Sequence, residues 1–404
     1  MTAVLADHHA RVSLPPHWPA ALAPQRLAAI ETPTPYLVTD LSTVADRYGR
    51  LTAALPGVQP YYAMKCNSSP EILQTLAGLG AGFEVASLGE LKMLQYIGVD
   101  PADVLYSNPI KPAAHIAAAH AAGLWRFSFD SEGELRKLAL HAPGAAVYVR
   151  LRVDDSNAIF PLSRKFGAEA HEARALLLLA RELGLRPYGV TFHVGSQCKS
   201  TSAWRQAIAA AGRLMAAAER DGVTLEMLNL GGGFPARYVE AVPTAPDVAT
   251  TILPALDELL PYRPAVLAAE PGRHLVAESA VLVATVLGRE VRAGENWVYL
   301  DVGAYNGLME TQQTVNQWRF PLWSSRPDHA VVAHLPFTVT GPSCDSSDTM
   351  FFGVALPSTI DVGDKLYIGS TGAYTLSYAS SFNGFPPPTP VFVGGVPAIR
   401  GEDR

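Results

Sequence analysis

QPYYAMKCNSSPEILQTLAGLGAGFEVAS, residues 59–87, decides the fold class. It opens on a short apolar run, QPYYAMK (59–65), whose length and aromatic content suit a strand. Ser-Ser-Pro then marks a helix start, and SPEILQTLAGLG carries its apolar residues at helical spacing. A second apolar run, GFEVAS (82–87), follows a glycine. Strand, helix and strand in immediate succession is the unit from which parallel sheets are built.

The rhythm extends in both directions. Further candidate strands are YLVTD (36–40), VLYSN (104–108), RFSFD (126–130), AVYVRLRV (146–153), YGVTFHV (188–194), MLNLGG (227–232) and VLAAEPG (266–272). Helical stretches such as EARALLLLARELG and SAWRQAIAAAGRLMAAAERDG lie between them. Eight or so βα repeats over roughly 240 residues have the size of a (β/α)8 barrel. A doubly wound open sheet would be expected to carry a glycine fingerprint after its first strand, and none stands there. After about residue 280 the texture turns to short β-rich runs, including AVLVATVLGREV, WVYLDVGAY and TPVFVGG, which predict an all-β domain. The expected organisation is residues 1–40 joining the β domain, 41–280 as barrel and 281–404 as the C-terminal β domain.

Composition bounds the function. The chain has 404 residues, 49% of them hydrophobic, and a formal charge of −6. With no basic stripe, nucleic acid is not an expected partner. The cysteines, Cys66, Cys198 and Cys344, are widely spaced and form no CxxC, which argues against a zinc site or a disulfide framework. The N-terminus shows no signal-peptide pattern, and its His8–His9 pair reads as a solvated tail. No apolar run is long enough to cross a membrane, so a cytoplasmic protein is expected.

The chemically loaded residues fall at predicted strand ends, the catalytic face of a βα barrel. Lys65 closes an apolar strand; desolvation there would lower its pKa and make it a nucleophile, although a lysine merely reaching solvent at the barrel mouth fits equally. FHVGSQ (192–197) puts an imidazole before a glycine turn, where a histidine satisfied by a backbone carbonyl is the other reading. NLGGGFP (229–235) exposes several backbone N–H groups at close range, as an anion site requires, and lacks the GK[ST] of a nucleotide P-loop. AEPGRH (269–274) sets a carboxylate and a guanidinium around Pro-Gly, which alone could be a surface ion pair. Jointly, an amine, a flat imidazole, an anion cradle with an arginine and a carboxylate suit a pyridine-ring cofactor with a phosphate tail, and pyridoxal 5'-phosphate fits.

PYYAMKCN, GFEVAS, FHVGSQ, NLGGGFP, AEPGR, GPSCDSSD, GAYT and the closing FNGF, in order from about residue 33 to 385, resemble the fold-type III pyridoxal-phosphate decarboxylases, most closely the ornithine decarboxylase branch. The resemblance implies an alanine racemase-like fold, a TIM-like barrel plus a β domain. It implies that Lys65 holds the cofactor covalently and that His193 stacks on the ring. Ser196, Gly232, Gly233, Arg273 and Tyr374 would hold the phosphate, Gly272 would contact the cofactor, Glu270 would pair with the ring nitrogen, and Glu84 and Arg150 would line the pocket. In the β domain it implies that Cys344 returns a proton to Cα, that Asp345 binds the distal amine, and that Tyr305, Glu310 and Phe382 help bind substrate. It further implies a homodimer with shared active sites, tied by a Lys165–Asp348 pair, and a lyase that makes a polyamine.

One segment departs from the pattern. VGAYNGLMETQQTVNQW (302–318) has Glu310 as its one carboxylate, with Gln312, Gln313 and Asn316 where further acids would be expected. Asp345 could read a distal ammonium alone, as in ornithine or lysine; an amide-rich helix could instead read a ureido or substituted side chain. Cys-Asp-Ser, where Cys-Glu-Ser would be expected for diaminopimelate, argues for a basic or neutral amino acid. A non-catalytic homologue with a binding role is the competing class.

Overall fold

The strand Tyr36–Asp40, β1, has every residue buried, so its sequence carries no alternation to say which sheet it enters. In a computed structural model that describes residues 13–314 and 318–395, β1 is not the first barrel strand that the βα rhythm suggests. It lies in the other sheet, antiparallel to residues 280–283 and parallel to residues 389–393. The His8–His9 pair and Asn316 lie outside the described residues.

The chain forms two compact units. One comprises Val44–Ala236 and Val242–Leu275; residues 13–43, 237–241 and 276–395 belong to the other. The strands of the first are β2 (Gln59–Ala63), β3 (Gly82–Val85), β4 (Val104–Tyr106), β5 (Arg126–Phe129), β6 (Ala146–Arg150), β7 (Ala158–Phe160), β8 (Arg186–Thr191), β9 (Ser196–Cys198), β10 (Met227–Asn229) and β11 (Val266–Ala269). All but β7 and β9 close into a parallel barrel in the order β2-β3-β4-β5-β6-β8-β10-β11, while β7 and β9 pair antiparallel on their own. Residues of the barrel strands pack inward as one cluster, Tyr61, Leu105, Ala146, Tyr148, Tyr188, Met227 and Ala268. Large aromatics in that interior need close backbone elsewhere: a Cβ on Gly189 would stand 2.6 Å from the Met227 carbonyl.

Helices start where the sequence marks them. Pro70 opens the helix Pro70–Gly78, and the Asn67 side chain accepts from Ser69 N and Oγ just before it. Ser87 caps Leu88–Tyr96 by accepting from Glu90 N, while Glu90 reaches back to Ala86 N.

The other unit is an eight-stranded sheet built from β1, β12 (Ala280–Arg292), β13 (Glu295–Leu300), β14 (Leu322–Ser324), β15 (His334–Thr340), β16 (Thr349–Pro357), β17 (Lys365–Gly369) and β18 (Thr389–Val393). Its core joins Tyr36, Val38, Val281, Val283 and Tyr367 to Leu22 and Leu27 of the N-terminal segment. Among the described residues no helix is long and apolar enough to cross a membrane, and no cluster of histidine, cysteine and carboxylate side chains could hold a metal ion.

The loop after β4 is held by an ion pair with no solvent access. Lys111 Nζ lies 2.9 Å from Glu134 Oε1 and donates to the Asn108 and Ser128 carbonyls, and Lys137 reaches the second Glu134 oxygen at 2.6 Å. Burial pushes Lys111 down to about 8 despite Glu134, so the cost of burying its charge is full below that pH and fades as pH rises toward the ordinary lysine value. Glu134→Ala strands the ammonium and is expected to cost about 3–5 kcal/mol at neutral pH, and less near pH 10 (about the free lysine pKa), in urea unfolding; a loss below about 1 kcal/mol at neutral pH contradicts this account.

Candidate active site

The strand ends β2, β3, β8, β10 and β11 bring the chemistry-bearing residues of the barrel together. After β2 the chain tightens into the turn Met64–Cys66, which buries Met64 and Cys66 and turns Lys65 outward. Its Nζ is 2.9 Å from Glu84 Oε2, and the lysine side chain keeps 42% of its surface while the glutamate keeps 1%. Burial pushes the ammonium pKa down, but Glu84 and Glu270 outweigh it and hold Lys65 above its ordinary value. The sequence expectation that desolvation alone would lower this pKa is therefore corrected: two facing carboxylates reverse the sign.

Glu270, at the end of β11, is a buried carboxylate and no part of a surface ion pair. Its Oε1 accepts from Ser107 Oγ at 2.5 Å and from Asn229 Nδ2 at 2.7 Å. Desolvation, then Glu84, pushes its pKa up, against Lys65 and these two donors. Arg150, which sits over the Phe166 ring, is lowered by burial and adds its field to the same cluster. Arg273 is also buried, donates from Nε to Ser196 Oγ at 3.3 Å and lies over the Phe160 ring.

His193 ends the segment after β8. Its Nδ1 accepts from Gly195 N at 3.0 Å, which leaves the proton on Nε2. Burial, then Arg150 and Lys65, lowers its pKa well below the usual imidazole range. A neutral, flat ring facing the three-glycine turn results: a Cβ on Gly232 would stand 2.8 Å from His193 Nε2 and from the Glu270 carbonyl. Gly233, at φ 101°, leaves no room for one either, since it would meet the Gly195 carbonyl at 2.5 Å. Gly272 lies against Cys66 and Ala63, 3.1 Å from the Cys66 Cβ by the same measure. A side-chain-free cradle, a reachable amine, a neutral ring and a carboxylate with one oxygen saturated fit pyridoxal 5'-phosphate.

The β unit carries a second constellation. Cys344 is exposed and its Sγ accepts from Asn383 Nδ2 at 3.1 Å. Asp345 accepts from Ser347 N at 2.9 Å and from Tyr305 Oη at 3.1 Å, and these bonds hold its carboxyl below the usual range. Phe382 packs 4.8 Å from the Tyr305 ring. Glu310 is not on that exposed cluster; it is buried within the unit. Gln312 spends its amide on the Thr349 carbonyl at 3.0 Å, and Gln313 is exposed. Tyr374 has a left-handed backbone, φ 61°, and stacks on Tyr378.

Asp348 is buried in its own chain: 1% of its surface is exposed, and its oxygens accept from Ala304 N at 2.7 Å and Ser343 N at 3.1 Å. Gly303 and Gly341 crowd the same carboxylate so closely that neither has room for a Cβ. Lys165 lies over the Phe166 ring. Sequence reading missed Ser107, Asn229 and Asn383; the last two stand inside quoted motifs, two residues before Gly-Gly-Gly and directly after Phe382.

Comparison with known proteins bears on this geometry. Residues 41–277 match the model of the pyridoxal-dependent decarboxylases, pyridoxal binding domain. The lysine/ornithine decarboxylase of Selenomonas ruminantium is 38% identical over 87% of this chain and 88% of its own length. Antizyme inhibitor 2 of Xenopus laevis is 36% identical over 87% of this chain and 79% of its own. The structure of a lysine/ornithine decarboxylase from Vibrio vulnificus, complexed with putrescine, superposes with a TM-score of 0.81 at 31% identity, covering 90% of this chain and 95% of that one.

Two outcomes check the site. Gly231 has φ 62°, and a Cβ there would strike the Phe192 carbonyl, so Gly231→Ala is expected to weaken pyridoxal phosphate binding at least tenfold, roughly the effect of one to two kcal/mol of backbone strain, in equilibrium titration; unchanged affinity contradicts the cradle. The His193 imidazole is expected to show no titration between about pH 6 and 8 by NMR, whereas a midpoint near the free value of about 6.5 would contradict its burial.

Proposed function

Because this chain belongs to the pyridoxal-dependent decarboxylases, a carboxy-lyase of the ornithine/lysine branch that uses pyridoxal 5'-phosphate on a basic amino acid, we propose that it converts L-ornithine to putrescine and CO2, with L-lysine as a second substrate. When bound, the cofactor supplies the electron sink for the pair released as CO2 departs.

The residues divide the remaining work. Lys65 holds the cofactor through its amine, and Glu84, 2.9 Å away, lines the pocket and orients that amine. Glu270 keeps the ring nitrogen protonated, and His193, neutral, covers the ring face without adding a charge. Gly232, Gly233, Ser196 and Arg273, with Tyr374, hold the phosphate, Gly272 contacts the cofactor, and Arg150 lines the pocket. Cys344 returns the proton to Cα, and Asp345, with Tyr305 and Phe382, receives the distal ammonium.

The observation that carries the substrate assignment is Asp345. A half-buried carboxylate kept ionised by Ser347 N and Tyr305, next to the exposed Cys344 thiol, suits an ammonium. The reading of a ureido or substituted side chain loses support because the Gln312 amide is engaged by Thr349. Glu310 is buried, so the distal ammonium is assigned to Asp345 without it. We further propose a cytoplasmic homodimer in which Cys344 and Asp345 of one chain complete the barrel site of the other, and a division near residues 40 and 280 between barrel and β domain.

The test is CO2 release from ornithine, lysine, arginine, citrulline and diaminopimelate. Ornithine is expected to lead; release from diaminopimelate or citrulline alone would overturn the substrate, and cofactor binding without release from any would favour a non-catalytic role. Asp345→Asn is expected to lower kcat/KM for ornithine about 10- to 100-fold, the loss of a charge-assisted hydrogen bond, and an unchanged value would remove Asp345 from substrate recognition.

A further inference from the structure

Glu270 is held from behind by a chain of groups that the reaction itself does not use. Tyr148 Oη lies 2.8 Å from Ser107 Oγ, and Ser107 Oγ donates to Glu270 Oε1 at 2.5 Å. A serine hydroxyl has one proton, which here goes to the carboxylate, so the tyrosine must donate to the serine. Burial, then Glu270, pushes the Tyr148 pKa well above the ordinary tyrosine value, which keeps that proton in place.

The second donor is fixed just as firmly. Gly231 N donates to Asn229 Oδ1 at 2.9 Å, which sets the amide so that Nδ2 faces Glu270 Oε1 at 2.7 Å. Glu270 N in turn donates to the Gly231 carbonyl at 2.7 Å. Tyr148 and Asn229 are fully buried, and Ser107 between Tyr148 and the carboxylate is half-buried. The serine is placed by its own loop: Ser107 N donates to the Val85 carbonyl, and the next residue, Asn108, accepts from the buried Lys111 ammonium and donates to the Ala86 carbonyl.

Both donors converge on Oε1. We infer that Tyr148, Ser107 and Asn229 are positioning residues that saturate one oxygen of Glu270 and reserve the other for the cofactor's ring nitrogen. The inference rests on the reading of Glu270 given above. The charged groups around the carboxylate are Glu84, which disfavours its ionisation, and Lys65 and Arg150, which favour it; the two donors act in the second direction. Asn229 also links the two ends of the site, since its amide touches both the glycine cradle and the ring-nitrogen carboxylate.

The experiment is an equilibrium titration of the cofactor-free chain with two ligands, pyridoxal phosphate and its carbocyclic analogue bearing C–H in place of the ring nitrogen. Ser107→Ala is expected to weaken pyridoxal phosphate about tenfold and the analogue less than about twofold, because the lost bond acts through the ring nitrogen. Tyr148→Phe, which removes only the hydroxyl, is expected to act in the same direction by a smaller factor and gives an independent reading should the serine variant unfold. Equal weakening of both ligands, or no weakening of either, overturns the relay. Glu270→Gln separates the two levels: if it too fails to discriminate between the ligands, the ring-nitrogen reading falls; if it discriminates and Ser107→Ala does not, the relay alone falls.

Discussion

Three ionisable groups, Lys65, Glu84 and Glu270, must keep their charges at the ends of β2, β3 and β11 against the desolvation that a closed barrel imposes. Two carboxylates at one place repel, and Glu84 pushes the Glu270 pKa up. The lysine between them is what makes the pair tolerable, and they in turn hold it protonated. The arrangement depends on the barrel being closed, because β2 pairs with both β3 and β11 and so brings residues distant in sequence to one rim.

The glycine turn follows from the same geometry. Asn229 ends β10, Gly231 takes a left-handed backbone, and its carbonyl receives the Glu270 N–H, so the cradle and the carboxylate are set by one short stretch of two neighbouring strands. His193 packs against that turn half-buried, and desolvation, then Arg150 and Lys65, keeps it neutral. In the β unit the constraint is different: Asp348 gathers the backbone of residues 303–304 and 341–343 around itself, and the loop it ties down presents Cys344 and Asp345.

Much of this was legible in the sequence, and what escaped did so for physical reasons. The βα rhythm from β2 to β11 showed the barrel because each strand is a short apolar run closed by a turn residue. Strand β1 shares that rhythm yet lies in the other sheet, because a strand buried on both faces reads alike in a barrel and in a sandwich. Lys65, His193, Glu270 and the glycines stood out as reactive residue types at strand ends. The sign of the Lys65 shift did not, since it depends on Glu84 and Glu270 approaching through space. Ser107 and Tyr148 look like ordinary strand residues, and only the closed barrel brings them to Glu270. Asp348 reads as a surface acid until the loop folds over it.

The central claim is that Lys65 is the amine around which this site is built. Purified protein reconstituted with pyridoxal phosphate, reduced with borohydride and digested, can be mapped by mass spectrometry for the lysine that carries the pyridoxyl phosphate group. The account predicts the adduct on the peptide containing Lys65 and its loss in Lys65→Ala; an adduct confined to Lys111 or Lys165, or none at all, would contradict it.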